Sequence, residues 1–132
     1  MTLHSGVQAY AQTQARPLKG PALESAALAK AASLLDDARR HPGNGAALGK
    51  ALDYNLKLWT VFQADICEAA NPLPGNLKSD LLSLSLFMDR SVARLLGGFD
   101  ADTLDAMIEV SRNLAKAPLS QKTPLPENQS LN

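Results

Sequence analysis

The chain has 132 residues, a length that suits one domain, and 21 Ala and 23 Leu against only 6 Val plus Ile favour helix over strand. Thirteen basic residues balance thirteen acidic ones, which argues against attachment to nucleic acid or anionic lipid by bulk charge. The single cysteine, Cys67, excludes an intramolecular disulfide and any multi-cysteine metal site.

Residues 1–20 read MTLHSGVQAYAQTQARPLKG, polar and punctuated by Gly and Pro, unlike a signal peptide. No stretch approaches the ~20 apolar residues that span a bilayer, so a soluble cytoplasmic protein with no membrane association is expected. The first helix is expected over about Ala22–Arg40, opened by Pro21 and followed by His41-Pro42-Gly43. Its stripe of Leu23, Ala27, Ala31, Leu34 and Ala38, widened by Leu28 and Leu35, is alanine-rich, compatible with close packing or weak packing. The two central helices hold 11 of the 23 leucines while alanine concentrates in the first, and this contrast marks the first helix as thinly packed.

A second helix is expected from the cap candidate Asn44 to about Ala70. Leu48, Leu52, Asn55, Trp59, Phe62 and Ile66 recur at spacings of four and three, and Tyr54, Leu58 and Val61 add a second stripe, so this helix should be central. Asn55 falls inside the apolar stripe, where a buried amide needs partners. After Asn71-Pro72-Leu73-Pro74-Gly75, the third helix repeats the pattern with Leu77, Leu81, Leu84, Met88, Ser91 and Leu95. Ser83, Ser85 and Ser91 are small enough for close helix approach, and Gly97-Gly98 closes the helix. The fourth starts at Asp100 or Asp102 and ends before Pro118.

The expected architecture is all-α: a bundle of about four helices over 21–117, a flexible N-terminal segment over 1–20 and a disordered tail over 118–132. Residues 1–60 carry a charge of +3 and 61–132 a charge of −3, which are expected either to neutralise each other in the fold or to be simply solvated.

The residue inventory offers no catalytic site, cofactor site or metal site. His4 and His41 have no ligand or triad spacing, and Asp65 and Glu68 disfavour a Cys67 thiolate. There is no phosphate-cradling glycine loop. Arg39, Arg40 and Lys50 lack interleaved aromatics and make a poor nucleic-acid footprint. No enzyme and no direct nucleic-acid partner is expected. Protein-partner binding fits best, by a groove that takes a helix. Leu56, Leu86, Phe87 and Leu96 lie off the main stripes and are groove candidates, although a second helix neighbour would also explain them. For Trp59, core packing is favoured over a role as binding anchor.

The segment Ala51-Leu52-Asp53-Tyr54-Asn55-Leu56-Lys57-Leu58-Trp59 resembles the LDxNxxLW pattern of the bacterial flagellar regulator family FlaF. Leu73-Pro74 followed by Ser83-Leu84-Ser85-Leu86 is similar to that family's LP and SLSL stretch. Ile108-Glu109-Val110-Ser111-Arg112 resembles its closing motif, and Ala9-Tyr10 with Gln12 and Thr13 its opening. The sequence departs in Tyr54, where tryptophan is common, and in Ser111, where asparagine is usual. The resemblance implies a flagellin-binding chaperone needed for flagellin synthesis and secretion, with flagellin as partner and the regulator FlbT alongside. The alternative it implies is post-transcriptional control of flagellin mRNA with FlbT. Asn55, Trp59, Ser83 and Ser85 are the motif residues that would shape the groove, together with Leu56, Leu86 and Phe87. For Asn55 and Trp59, fixing the packing of the second helix on the third is the favoured role.

Overall fold

The computed structural model describes residues 20–117. The expected N-terminal segment through Lys19, with His4 and the Ala9-Tyr10 motif, and the expected tail over 118–132 lie outside the described residues. Those described form four helices: α1 (Pro21–Arg40), α2 (Gly45–Cys67), α3 (Gly75–Leu96) and α4 (Ala101–Lys116). No strand occurs among them.

Local chemistry sets most of the helix ends. Pro21 stands at the start of α1, where a missing N–H breaks no helical bond. Asn44 caps α2, its side-chain oxygen accepting from the Ala47 N–H at 3.0 Å. That helix ends at Cys67, one turn before the expected Ala70. The correction has a local cause. The Asn71 side chain donates to the Asp65 carbonyl at 3.1 Å and its oxygen accepts from the Leu73 N–H at 3.0 Å. The chain is thereby folded back into a turn, as Asn commonly does ahead of proline. Gly97 caps α3, and Gly98 follows with φ of 148°, a conformation open to glycine and rarely to residues with a Cβ.

Asp100 is the cap of α4, chosen over Asp102: its carboxylate accepts from the Asp102 N–H at 3.1 Å and from the Thr103 hydroxyl at 2.9 Å. The Thr103 hydroxyl bond, with the backbone N–H groups of Thr103 and Asp102 and the nearby Arg94, holds the Asp100 carboxyl below its ordinary value of 3.8. A carboxylate with a depressed folded pKa adds stability above the unfolded pKa, and that contribution is lost as pH falls through the folded value. Asp100→Asn keeps a side-chain cap but removes the charge. The variant is expected to be less stable than wild type at pH 7, with the gap closing as pH falls below about 4. Denaturation midpoints measured between pH 7 and 3 check this; a gap that stays constant with pH contradicts it.

The links between successive helices are too short to cross a helix length, so neighbours run antiparallel in an up-down-up-down bundle. Contact is most extensive between α1 and α4, follows between α1 and α2 and between α2 and α3, and is thinner between α3 and α4. The expectation of a thinly packed first helix is therefore overturned. Ala31 and Ala38 are fully buried beside Leu28 and Leu35, and short side chains let the backbones approach closely. At one end of this interface the Ser25 hydroxyl donates to the Ala115 carbonyl at 2.7 Å. At the other, Arg39 meets Asp105 at 2.8 Å. Arg112 lies 3.9 Å from Asp36 across the same interface. These two pairs cross the halves of the chain in opposite senses, a first-half cation on a second-half anion and the reverse.

The core is aliphatic around one large aromatic. Leu28, Leu35, Leu58, Trp59, Leu104 and Met107 are all fully buried, and each such aliphatic side chain contributes on the order of 1.5–3 kcal/mol. Trp59 meets Phe62 edge to face, with centroids 5.2 Å apart. Ser85, Ser91 and Ser111 are buried where the helices approach.

A candidate partner-binding face

On α2, the apolar stripe places Leu52, Asn55, Leu58, Trp59, Phe62 and Ile66 inward. The side chain of Gln63 sits on the flank of that stripe and reaches α3. Its amide donates to the Ser85 hydroxyl and to the Asp89 carboxylate, the latter at 3.1 Å. These bonds identify which flank of each helix faces the other. Ser85 is almost fully buried because a small residue is needed where the Gln63 amide enters. Asp89 is partly buried and has no cation within 4 Å among the described residues.

Helical geometry places leucines around this polar centre. At about 100° per residue, Leu56 lies about 20° from Gln63 on α2. On α3, Leu82 and Leu96 lie within about 20° of Asp89, and Leu86 about 60° beyond it. Leu56 is 45% exposed, Leu86 53% and Leu96 74%, whereas Leu82 is partly buried. Because the helices run antiparallel, Leu56 and Leu96 share one end of the face, and Leu82 and Leu86 lie toward the other. Three of the four large exposed hydrophobic side chains among the described residues therefore rim one seam, the outer α2–α3 face. Scattered exposed leucines need no explanation, but a converging set marks an interaction surface.

The residues expected to shape a groove divide between this face and the core. Asn55, Trp59 and Ser85 are buried and reach no surface, so in this conformation they can act on a partner only through packing. The Asn55 amide donates to the Ala51 carbonyl at 2.9 Å, while its oxygen, the Trp59 indole N–H and the Ser111 hydroxyl have no hydrogen-bond partner among the described residues. Leu56 and Leu86 are exposed on the α2–α3 face. Ser83 is also exposed but lies about 120° from Asp89 around α3, away from α2, so it does not line the close approach expected of it. Phe87 is on the opposite flank, in a shallow groove of about 450 Å³ between α3 and α4 that Arg90, Arg94, Thr103 and Ala106 also line. Its rim is closed by Arg94 and Asp100, 3.3 Å apart. Sequence reasoning missed Gln63 and Asp89. No motif or stripe in the sequence includes either, and only their meeting across 26 residues gives them a place in the site.

The reactive residue types are dispersed. Cys67 is exposed at the last position of α2. His41 caps α1, with Nδ1 2.8 Å from the Asp37 carbonyl oxygen. Among the described residues no group of three or more His, Cys, Asp or Glu could hold a metal ion. No helix among them is long and apolar enough to cross a membrane. Two of the three cations proposed for a basic patch are paired, Arg39 with Asp105 at 2.8 Å and Arg40 with Asp36 at 3.0 Å. The Asp105 hydrogen bond raises the Arg39 pKa further above its already high value.

The motif segments take clear structural parts. Leu52, Asn55, Leu58 and Trp59 form the inner face of α2, and Ile108 and Ser111 the inner face of α4, with Arg112 directed to Asp36 on α1. No curated protein and no solved structure gives a significant match to the chain. The family model described as "Flagellar protein FlaF" matches residues 7–117. With that match running over most of its length, the chain belongs to the FlaF family of flagellar proteins.

Proposed function

We propose that this protein is a cytoplasmic flagellin-binding chaperone that supports flagellin synthesis and secretion during flagellum assembly, alongside the regulator FlbT. The observation that carries the reading is the unpartnered leucine face of α2 and α3 on a member of a flagellar family. Unassembled flagellin has apolar terminal segments that form helices in the filament. Left free, such segments aggregate or assemble early. A helix laid on Leu56, Leu86 and Leu96 buries its apolar stripe and theirs together, and its release restores both surfaces. No observation favours direct action on flagellin mRNA, because Arg39 and Arg40 are neutralised by Asp105 and Asp36.

Purified protein mixed with monomeric flagellin is expected to give a complex of defined stoichiometry by size exclusion and a saturable heat by calorimetry. Absence of binding at concentrations on the order of tens of micromolar overturns the reading. A shift of flagellin leader RNA that weakens steeply with salt, in place of flagellin binding, supports the messenger reading instead.

A further inference from the structure

Asp89 is an anomaly in its setting. It lies at the middle of the outer α2–α3 face, between Leu56 and Leu96 at one end and Leu82 and Leu86 toward the other. Its carboxylate is partly buried, and its inter-helix contact is the neutral amide of Gln63 at 3.1 Å. Its own helix offers no cation one turn away, since Ser85, Leu86, Val92 and Ala93 occupy those positions. A partner that covered the leucines with an unbroken apolar stripe would seal this carboxylate away from water without compensation, which is strongly unfavourable. A partner that places a cation there gains a charge-assisted bond in a setting dried by the surrounding leucines.

We infer that the outer α2–α3 face docks an amphipathic helix whose apolar stripe is interrupted by one lysine or arginine, and that this cation pairs with Asp89. The length of the face sets the length of the helix. Leu82 and Leu96 are fourteen residues apart on α3, a rise of about 21 Å, or about four turns of a docked helix. Gln63 holds the carboxylate in place, and its amide oxygen, which accepts no hydrogen bond among the described residues, remains able to accept from the incoming cation. Asp89 thereby acts as a specificity residue. It rejects wholly apolar or acidic helices and fixes the register of the accepted one. The inference rests on the reading of flagellin as the partner, and it names the chemistry of the flagellin segment that is held.

The test uses the full chain and monomeric flagellin in calorimetric titrations. Asp89→Asn keeps an oxygen that accepts from Gln63, so its far-UV circular dichroism and melting temperature should match wild type. Its affinity is expected to fall about tenfold and to depend less on salt. Asp89→Lys is expected to bind more weakly still. Single Lys→Glu or Arg→Glu substitutions through the terminal helical segments of flagellin should include one position that restores binding to Asp89→Lys and not to wild type. Should Asp89→Lys not fold, the same flagellin substitutions are read against Asp89→Asn as a double-mutant cycle, where the pairing position shows coupling and the others do not. Wild-type binding with unchanged affinity in Asp89→Asn overturns the inference and leaves flagellin binding standing. Weakened binding with no restoring or coupled position overturns the pairing. Failure of wild type to bind flagellin removes both readings.

Discussion

Trp59→Ala is expected to cost about 3–5 kcal/mol of folding stability, the range for truncating a large aromatic in a closed core. Trp59 is fully buried, and it packs edge to face on Phe62. A domain of this size has on the order of 5–15 kcal/mol in total, so the variant should be marginal or unfolded at 37 °C. Trp59→Phe should be far milder. It keeps a ring against Phe62 and removes an indole N–H that has no partner among the described residues. Relief of that desolvated donor, about 1–3 kcal/mol, offsets part of the smaller cavity. Urea unfolding at 25 °C measures both. Wild-type stability in Trp59→Ala would place the indole outside the core. Flagellin binding by Trp59→Phe should equal that of wild type, since the side chain reaches no surface.

How far the sequence disclosed this arrangement differs from residue to residue. The spacing of four and three that carries Leu52, Asn55, Trp59, Phe62 and Ile66 identifies the inner face of α2, and all five are buried. Periodicity reports the angle of a residue about its own helix and contains nothing about the neighbour on the far side. For that reason Leu56 and Phe87 looked alike as positions off the main stripe, although one rims the α2–α3 face and the other the groove between α3 and α4. The packing of α1 was misread for a related cause. An alanine-rich stripe signals little buried area per residue, yet alanine also permits the close approach that makes the α1–α4 contact the most extensive in the bundle. Gln63 and Asp89 were invisible because their significance is a contact, and no local pattern encodes a contact between residues 26 positions apart. The family motifs have the same bias. Leu52, Asn55, Trp59 and Ile108 are core residues, so the resemblance identifies the bundle more directly than the surface that meets a partner.

That surface should be separable from the core by substitution. Leu56→Asp combined with Leu86→Asp is expected to weaken flagellin binding by at least about 100-fold. Full burial of each leucine by a partner is worth about 1.5–3 kcal/mol, and half of that remains available at positions 45% and 53% exposed. The introduced carboxylates would also have to be desolvated within the complex, which adds to the loss, and each 1.4 kcal/mol is a factor of ten in affinity. Folding should suffer less than at a closed core position, because only the half of each side chain already packed is lost, together with roughly 0.7 kcal/mol for aspartate in a helix. The double variant should therefore keep its helical circular dichroism and a cooperative melt, the reverse of Trp59→Ala. Lys116→Asp, on the exposed side of α4 remote from this face, serves as the control and should bind as wild type does. If the leucine double variant binds flagellin normally while Phe87→Asp does not, the partner lies in the groove between α3 and α4. Arg90 and Asp102 both line that groove without an ion pair among the described residues, so its charges balance.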